Sequence, residues 1–439
     1  MTDPRQHIAL QRMSSAQIVV VVLAIFLNAL DGFDVMSISF ASPGIAAEWG
    51  VTKATLGIVL SMELIGMAAG SILLGGWADR VGRRPTLLTC LSIMSVGMFM
   101  ATTASGVITL SIWRVMTGLG IGGMLASLTA IAAEFSSTKR RHLCVSLVTI
   151  GYPFGAVLGG AVVAQLLKTQ DWRAVFYLGA AATAISIPLV YFLVPESVYW
   201  LSQKQPRGAL ERINRVLKRL GKSAVERLPN VSQQERRGST RDIFSSQLGW
   251  VTFLVTLAYF MHISTFYFLV KWSPKLIVDM GFTAAEAAGV LMWANVGGTI
   301  GGVLFGIMTL RFQVKPLATT MMVVSAACIV AFGQLPPDLT ALAAVCALAG
   351  FTTNAGVVGL YAIFAHVFPT EVRASGTGFA LGVGRGGAVL APVVAGFLFS
   401  SGLTLSWVAP LMAMGSVLGA AALIMLRFDS THTEGTGGA

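Results

Sequence analysis

Two acidic residues, Asp31 and Asp34, interrupt an otherwise apolar stretch between residues 20 and 40. If this stretch is helical, side chains three residues apart project from nearly the same side of the helix. A charge in the middle of a membrane helix costs roughly 2.5–3.5 kcal/mol on insertion scales, so it rarely lacks a function. A low dielectric disfavours an ionised carboxylate, and a second carboxylate nearby disfavours it further. The pair is therefore predicted to bind and release a proton, unless an arginine holds one of the acids in an ion pair.

Arg385 is a basic residue suited to binding a carboxylate. It lies within another apolar stretch, and four glycines surround it between residues 382 and 387. Glycines let a neighbouring helix approach closely, and the fork of a guanidinium can donate two parallel hydrogen bonds to a carboxylate. We predict that Arg385 anchors the carboxylate of a substrate, with an ion pair to Asp31 or Asp34 as the alternative.

Two more charged residues fall inside apolar stretches. Arg114 is expected at about the depth of Asp34, and we predict that it forms an ion pair rather than contacting substrate. Glu63 could relay protons or bond to a neighbouring helix, and the sequence favours neither role. Of the two aspartates, we assign the proton to Asp31 and a place in the substrate pocket to Asp34.

Polar and aromatic residues of the C-terminal half complete the predicted pocket. An ionisable group at bilayer depth is by default a candidate site residue, and a buried tyrosine hydroxyl requires a hydrogen-bond partner. Each of these residues could instead form a structural hydrogen bond within the bundle. The candidates are His262, Tyr267, Trp293, Asn295, Asn354 and Tyr361.

The composition indicates a membrane protein. Of the 439 residues, 55% are hydrophobic and only 11% are charged, and the mean hydropathy is +0.76. Apolar runs of about 20 residues, the length of helix that crosses a bilayer, recur throughout the chain. We predict an all-α membrane protein with twelve transmembrane helices at roughly 17–43, 54–76, 86–104, 108–130, 144–167, 174–194, 248–271, 286–309, 316–334, 338–365, 374–398 and 404–427.

The loop charges predict the orientation of these helices. The net charge of +11 reflects basic residues in loops, and no nucleic-acid-binding motif accompanies them. If both termini are cytoplasmic, most of the 30 Lys and Arg residues lie on the cytoplasmic side, as the positive-inside rule requires. Five basic residues are assigned to outer loops: Lys53, Lys168, Arg173, Lys271 and Lys275. The four cysteines show no metal-binding or redox spacing, so we expect no metal and no cofactor.

The two halves of the chain share a loop sequence. Gly75 to Pro85 follows the second predicted span, and Gly306 to Pro316 follows the eighth with Gly, Arg, a basic residue and Pro at matching spacing. Such a repeat indicates a duplicated transporter with its site between the halves. The predicted division is a six-helix half (1–195), a central cytoplasmic loop with an amphipathic helix near 209–220 (196–246), a second six-helix half (247–428) and a tail (429–439).

Several motifs resemble those of the major facilitator superfamily. The loop from Gly76 to Pro85 is similar to its signature loop, and Arg114-x-x-x-Gly118-x-Gly120 opens the fourth span. Pro195-Glu196-Ser197-Val198-Tyr199-Trp200-Leu201 resembles the superfamily's P-E-S-P-R-W-L, which also follows the sixth span. The resemblance implies two six-helix halves that rock around a central site.

A narrower resemblance is to the aromatic acid:H⁺ symporter family. It rests on Asp31-Gly32-Phe33-Asp34, on the segment Phe368 to Ala374, and on Gly382-Val383-Gly384-Arg385. The resemblance implies import of benzoate-type or hydroxybenzoate-type acids together with protons. Glu63 departs from the family's expected pattern, which has a small or apolar residue there.

Charged residues at the cytoplasmic end of the second span are predicted to form a conformational clamp. A carboxylate beside helix ends and arginines is expected to stabilise the outward-open state, and the contacts are expected to break as the halves rock. The clamp is expected to involve Asp79, Arg80, Arg83, Arg84 and Glu134, the last of these together with Arg140 and Arg141.

These features predict a proton-coupled importer of a small aromatic carboxylate that works by alternating access. It is expected to act as a monomer in the inner membrane, with both termini cytoplasmic and no nucleic-acid partner. The alternative is a proton-driven exporter of aromatic acids or drugs. A membrane sensor is disfavoured because the central loop is too small for an output domain. The sequence shows no nucleotide loop, metal cluster or nucleophile–base arrangement, so we do not predict an enzyme.

Overall fold

The computed structural model describes residues 3–229, 242–245, 248–369 and 372–426, and every regular element in these ranges is a helix. The predicted tail (429–439), part of the central loop, and Thr370 and Glu371 lie outside the described residues. Within these described ranges, twelve helices are long and apolar enough to cross a membrane, which confirms the predicted fold class. Six precede the central loop: α2 (Ser15–Trp49), α3 (Lys53–Val81), α4 (Arg83–Thr102), α5 (Val107–Glu134), α6 (Arg141–Leu166) and α7 (Arg173–Leu193).

Six more follow the central loop: α10 (Gly249–Asp279), α11 (Ala284–Met308), α12 (Val314–Gln334), α13 (Leu339–Val367), α14 (Arg373–Ser400) and α15 (Leu405–Met425). Three helices are short: α1 (Pro4–Ala9), α8 (Val198–Lys204) and α9 (Ala209–Arg219). The amphipathic helix predicted near 209–220 is present as α9. Its apolar side chains Ile213 and Leu217 are covered by protein.

Local sequence signals set the ends of the first spanning helix. Ser14 and Gln17 form a capping box in which each side chain accepts a hydrogen bond from the other residue's backbone N–H. The helix ends at Gly50, whose φ of 58° lies in the left-handed region that favours glycine. These signals give α2 a length of 35 residues, enough to carry Asp31 and Asp34 deep into the bundle.

The helix α10 extends beyond its predicted end near residue 271. It passes through Pro274 and ends at Asp279, and Leu276 and Ile277 after the proline are buried. A proline is tolerated inside a membrane helix where neighbouring groups satisfy the freed backbone groups. The assignment of Lys271 to an outer loop is therefore wrong, because this residue is fully buried inside the helix.

Helix pairing follows the same plan before and after the central loop. In the first half α3 packs on α5, α2 on α6 and α4 on α5, and in the second half α11 packs on α13, α10 on α14 and α12 on α13. The two sets join through α3 with α14, α6 with α11 and α2 with α10. These contacts relate equivalent helices, as expected for a duplicated chain.

The bundle has two distinguishable ends. The short helices α1, α8 and α9 pack together at the end that carries most of the basic loop residues, which we call the basic end. At the other end, which we call the opposite end, the two halves are joined. Lys53 forms an ion pair of 3.0 Å with Asp279, and the backbone N–H of Ala54 donates to Ser400 Oγ at 2.8 Å.

The helices α3 and α14 touch near the opposite end and diverge toward the basic end. A Cβ atom added at Gly57 would lie 2.3 Å from the carbonyl oxygen of Pro392, so the two backbones are in close contact there. Cβ atoms added at Gly75 and Gly76 of α3, or at Gly378 and Gly382 of α14, would meet open space. The space between the halves therefore opens at the basic end in this structure.

Replacing Gly57 with leucine should disfavour closure of the opposite end. Overpacking a tight contact costs typically 1–3 kcal/mol, so we expect the population of the closed opposite end to fall by about tenfold. Spin labels at the exposed positions Ser105 and Thr404 would report this as a longer distance between the halves. Gly289→Leu is the matched control, because a Cβ at Gly289 meets open space at the same end. Equal distance distributions for the two variants would contradict the prediction.

Candidate proton and substrate site

Five charged residues meet inside the bundle, and each is at most 1% exposed. The helix α2 contributes Asp31 and Asp34, α3 contributes Glu63, α5 contributes Arg114 and α10 contributes Lys271. We call this group the charged cluster. Buried charges persist only when they are paired or neutralised, because their desolvation is expensive. The cluster joins residues from both halves of the chain.

Arg114 contacts its surroundings through both terminal nitrogens of its guanidinium. Its Nη2 forms an ion pair with Glu63 Oε1 and donates a hydrogen bond of 3.0 Å to the backbone carbonyl of Asp34. Its Nη1 lies 2.9 Å from the sulfur of Met98, and its guanidinium lies 5.3 Å from the centre of the Phe176 ring. Arg114 thus reaches the depth predicted from Asp34, but the carboxylate that it pairs with belongs to Glu63.

The carboxylates of Asp31 and Asp34 are buried, and neither has a hydrogen-bond partner among the residues that the structure describes. A Cβ atom added at Gly179 of α7 would lie 2.9 Å from Asp34 Oδ1, so Asp34 points into the first half of the bundle. An isolated ionised carboxylate is very costly in such surroundings. The geometry therefore suits a pair of carboxyl groups of which at least one carries a proton in this state.

Lys271 is a member of the cluster that the sequence prediction missed. Its ammonium donates a hydrogen bond of 2.5 Å to the backbone carbonyl of Val35 and lies 3.7 Å from Glu63 Oε2. The prediction ended the seventh span before Pro274 and so placed Lys271 in a loop. The apolar residues that follow this proline were the signal that the helix continues.

Arg385 lies between the two halves and is only half-buried. Its Nη1 is 3.5 Å from Ser71 Oγ on α3, across the interface. No ion pair to Asp31 or Asp34 is present in the described part of the chain, so the alternative predicted for Arg385 is not the arrangement in this structure. The guanidinium retains N–H groups that can bind a carboxylate.

Tyrosines surround Arg385. The hydroxyls of Tyr259 and Tyr361 lie 3.3 Å apart, and a Cβ atom at Gly384 would lie 2.0 Å from the Tyr259 ring, so this glycine makes room for it. Tyr267 is within electrostatic range of Arg385 and Tyr361. The structure thus brings together three of the predicted pocket residues: Arg385, Tyr267 and Tyr361. Tyr152 of α6 faces Tyr267 from the other half and was not predicted.

His262 is enclosed by three helices. Its Nε2 lies 2.9 Å from the carbonyl of Thr353, and its Nδ1 lies 2.8 Å from Ser416 Oγ. Because a carbonyl only accepts, Nε2 must donate, and Nδ1 can then accept from the serine hydroxyl. A Cβ at Gly356 would lie 2.4 Å from Nε2. This geometry matches the structural alternative predicted for His262, with both nitrogens occupied.

The remaining predicted pocket residues lie on α11 and α13. Asn354 donates a hydrogen bond of 2.6 Å to the carbonyl of Gly298, which links α13 to α11, and Asn295 donates to Leu291 of its own helix at 2.9 Å. Trp293 is 50% exposed in a groove between α11 and α13 toward the opposite end. The pocket role of these three residues stays a prediction.

A second set of charges lies at the basic end. Arg83 contacts Asp79 at 2.6 Å and Glu134 at 3.7 Å, while Arg84 donates to the carbonyl of Tyr191 at 2.6 Å. Arg80 is exposed, as are Arg140 and Arg141. The partner of Glu134 is thus Arg83, whereas the sequence associated Glu134 with Arg140 and Arg141.

Glu196 connects this set of charges to the start of α4. Its Oε1 accepts hydrogen bonds from the backbone N–H groups of Arg83 (2.9 Å), Arg84 (3.4 Å) and Ser197 (2.8 Å). Gly82 has a φ of 118°, and a Cβ there would lie 2.3 Å from Glu196 Oε2. Burial raises the pKa of the Glu196 carboxyl, although the three backbone N–H groups favour its ionised form. The carboxylate of Glu196 thus caps the N-terminus of α4 from a distant part of the sequence.

Replacing Glu196 with alanine should lower the free energy of unfolding by about 1–3 kcal/mol, because buried N–H groups lose their acceptor. Glu196→Gln keeps an acceptor oxygen and should lose less. Thermal unfolding in detergent measures both effects, with the exposed Glu226→Ala as the control. A Glu196→Ala variant as stable as the Glu226→Ala variant would rule out the capping role.

The described residues form twelve helices of membrane-spanning length and composition in two similarly paired sets, with buried charges and a half-buried arginine between them. These are the features of a membrane transporter built from duplicated halves. The chain matches the sequence model of the Major Facilitator Superfamily over residues 24–337 and 279–438. It belongs to that superfamily, which confirms the resemblance seen in its motifs.

Relatives within the superfamily are transporters of aromatic acids. The chain is 28% identical to the gallate transporter of Pseudomonas putida over 96% of its own length and 94% of that protein. It is also 28% identical to the 4-hydroxybenzoate transporter PcaK of Pseudomonas aeruginosa, over 96% and 95% of the two chains. Among solved structures, a D-xylose-proton symporter shares the fold with a TM-score of 0.73, 18% identity and coverage of 93% and 97%.

Proposed function

We propose that this protein imports a small aromatic carboxylate together with protons by alternating access. The observation that carries the proposal is Arg385, a half-buried guanidinium at the interface between the halves with tyrosines beside it. Its fork matches a carboxylate, and the phenol rings offer both an apolar surface and hydroxyl groups for a substituted benzene ring. The relatives that transport gallate and 4-hydroxybenzoate support the same substrate class.

Proton coupling is assigned to the acids of the charged cluster. Within the described part of the chain Asp31 and Asp34 have no hydrogen-bond partner in this state, and Glu63 connects Arg114 to Lys271. Because Asp34 points into the first half of the bundle and Asp31 is buried beside it on α2, we assign both to the proton and place the substrate at Arg385. This replaces the predicted pocket role of Asp34.

The proposed setting is the inner membrane, with the basic end in the cytoplasm. Basic residues concentrate at that end, as the positive-inside rule requires. The structure is then the inward-facing state, from which substrate and proton leave. The clamp at Asp79 and Arg83 is proposed to control how the two halves rock against each other. The protein is proposed to work as a monomer.

Uptake of labelled 4-hydroxybenzoate by cells, with and without a protonophore, tests the function. We expect accumulation that collapses when the protonophore is added. Accumulation that survives loss of the proton gradient would refute the coupling. Efflux of preloaded substrate without uptake would show that the protein is an exporter and not an importer.

Asp31→Asn should reduce accumulation by at least about tenfold while exchange of internal and external substrate continues. An amide cannot take up and release the coupled proton, whereas exchange needs no net proton movement. Asp34→Asn should behave in the same way. Exchange and gradient-driven uptake in proteoliposomes distinguish the two activities, and the exposed Asp171→Asn is the control. Wild-type accumulation in either cluster variant would remove that aspartate from the proton site.

A further inference from the structure

Lys271 brings a positive charge from the second half of the chain into a cluster that otherwise belongs to the first half. It is 0% exposed, and its ammonium lies between the carbonyl of Val35 on α2 and the carboxylate of Glu63 on α3. Glu63 is already paired with Arg114. A second cation at full burial has a high desolvation cost, and neither substrate binding at Arg385 nor the packing of α10 requires it.

Because of its position, Lys271 must change its contacts when the opposite end opens. It stands eight residues before the end of α10, which is about 12 Å along a helix, between the Lys53–Asp279 ion pair and the level of Arg385. Opening this end requires α10 to move away from α2 and α3. The ammonium must then leave Val35 and Glu63, because they belong to the other half.

The number of protons that the cluster needs changes with this movement. With Lys271 docked, two cations face the acids Asp31, Asp34 and Glu63, and one proton makes the cluster neutral. With Lys271 withdrawn, Arg114 alone faces the same three acids, and two protons are needed. Because net charge in a buried site is strongly disfavoured, docking of Lys271 displaces one proton.

The other groups that face Lys271 do not alter this balance. Tyr152 of α6 is a neutral phenol near Tyr267. On α10 itself, Tyr267 lies one turn closer to the basic end, where Arg385 of α14 and Tyr361 of α13 face it. The sequence of α15 contains no titratable residue, and α11 contributes only Glu286, which is exposed at the opposite end.

We propose that Lys271 is an internal cation that replaces the coupled proton in the inward-facing state. As the opposite end closes, the ammonium docks between Val35 and Glu63. The O–H bond of one carboxyl group, that of Asp31 or Asp34, then breaks, and its proton passes to water in the cavity that opens at the basic end. No other bond forms or breaks except the new O–H bond to that water. The inference rests on the proposed proton coupling, and it identifies what triggers proton release.

The test uses the full-length protein in proteoliposomes and labelled 4-hydroxybenzoate. It compares Lys271→Gln, Lys271→Arg and the matched control Lys275→Gln, which removes a charge one turn away whose partner, Asp279, is on the same helix. Two activities are measured: uptake driven by a pH gradient, and exchange at equal pH on both sides. We expect Lys271→Gln to lose at least tenfold in driven uptake and to keep exchange within about twofold. Lys271→Arg and Lys275→Gln should retain both activities.

Each other outcome decides against the inference. Driven uptake at the wild-type level in Lys271→Gln would show that no cation at this position is needed for proton release. Loss of both activities in Lys271→Gln would assign Lys271 to the movement of the halves instead. Failure of the proposed function would look different, because the wild-type protein itself would then exchange no 4-hydroxybenzoate or show no effect of the pH gradient.

Discussion

Replacing Arg385 with alanine is expected to reduce uptake of an aromatic carboxylate by about 100-fold or more. A hydrogen bond to a charged group contributes about 1.5–3 kcal/mol, and each 1.4 kcal/mol corresponds to a factor of ten. Loss of both arms of the fork therefore exceeds 2.8 kcal/mol. Arg385→Lys keeps the charge without the planar fork, so it should show a smaller loss of about tenfold.

The measurement is initial uptake rate and direct binding of 4-hydroxybenzoate to the purified variants. Arg207→Ala is the control, because Arg207 is exposed in the central loop far from the interface. Binding by Arg385→Ala at the wild-type affinity would show that the carboxylate binds at another position. Binding that persists while uptake is lost would assign Arg385 to the rocking of the halves through its contact with Ser71.

Replacing Glu63 with alanine is expected to destabilise the protein by about 3–5 kcal/mol, the typical effect of breaking a buried ion pair. The change leaves Arg114 and Lys271 without their shared carboxylate inside the bundle. Two buried cations would then face only Asp31 and Asp34. Glu63→Gln preserves the shape and some hydrogen bonding, so its loss of stability should be smaller.

Unfolding in detergent, followed by tryptophan fluorescence, measures this effect. The exposed Glu211→Ala should change stability by less than about 0.5 kcal/mol. If Glu63→Ala yields too little folded protein, the double variant Glu63→Leu/Lys271→Met provides the second measurement. It removes Lys271 together with the carboxylate and leaves only Arg114 without its partner, so it should be less destabilised than Glu63→Ala. A single variant as stable as the double variant would show that Glu63 does not hold the two cations.

The charged cluster shows that the two acids of one helix predicted the location of the site but not all of its members. The sequence placed Asp31 and Asp34 on one face of a membrane helix and assigned Arg114 to their depth. It could not show that Glu63 occupies the centre of the cluster, although its departure from the family pattern made it conspicuous. The ion pairs depend on which helices are neighbours, and α3, α5 and α10 meet only in the folded bundle.

The sequence by itself determined the membrane-spanning helices, their number and the superfamily, because apolar length and loop motifs are local properties of the chain. The position of Lys271 could not be predicted from these local properties. Its burial depends on a helix that continues through a proline and on acceptor groups more than 200 residues away, Val35 and Glu63. The hydrophobic pattern of a sequence does not show which distant carbonyl or carboxylate a side chain contacts in the folded protein. Only the tertiary structure, by packing α10 against α2 and bringing its lysine to Glu63 of α3, decided that Lys271 lies within the charged cluster.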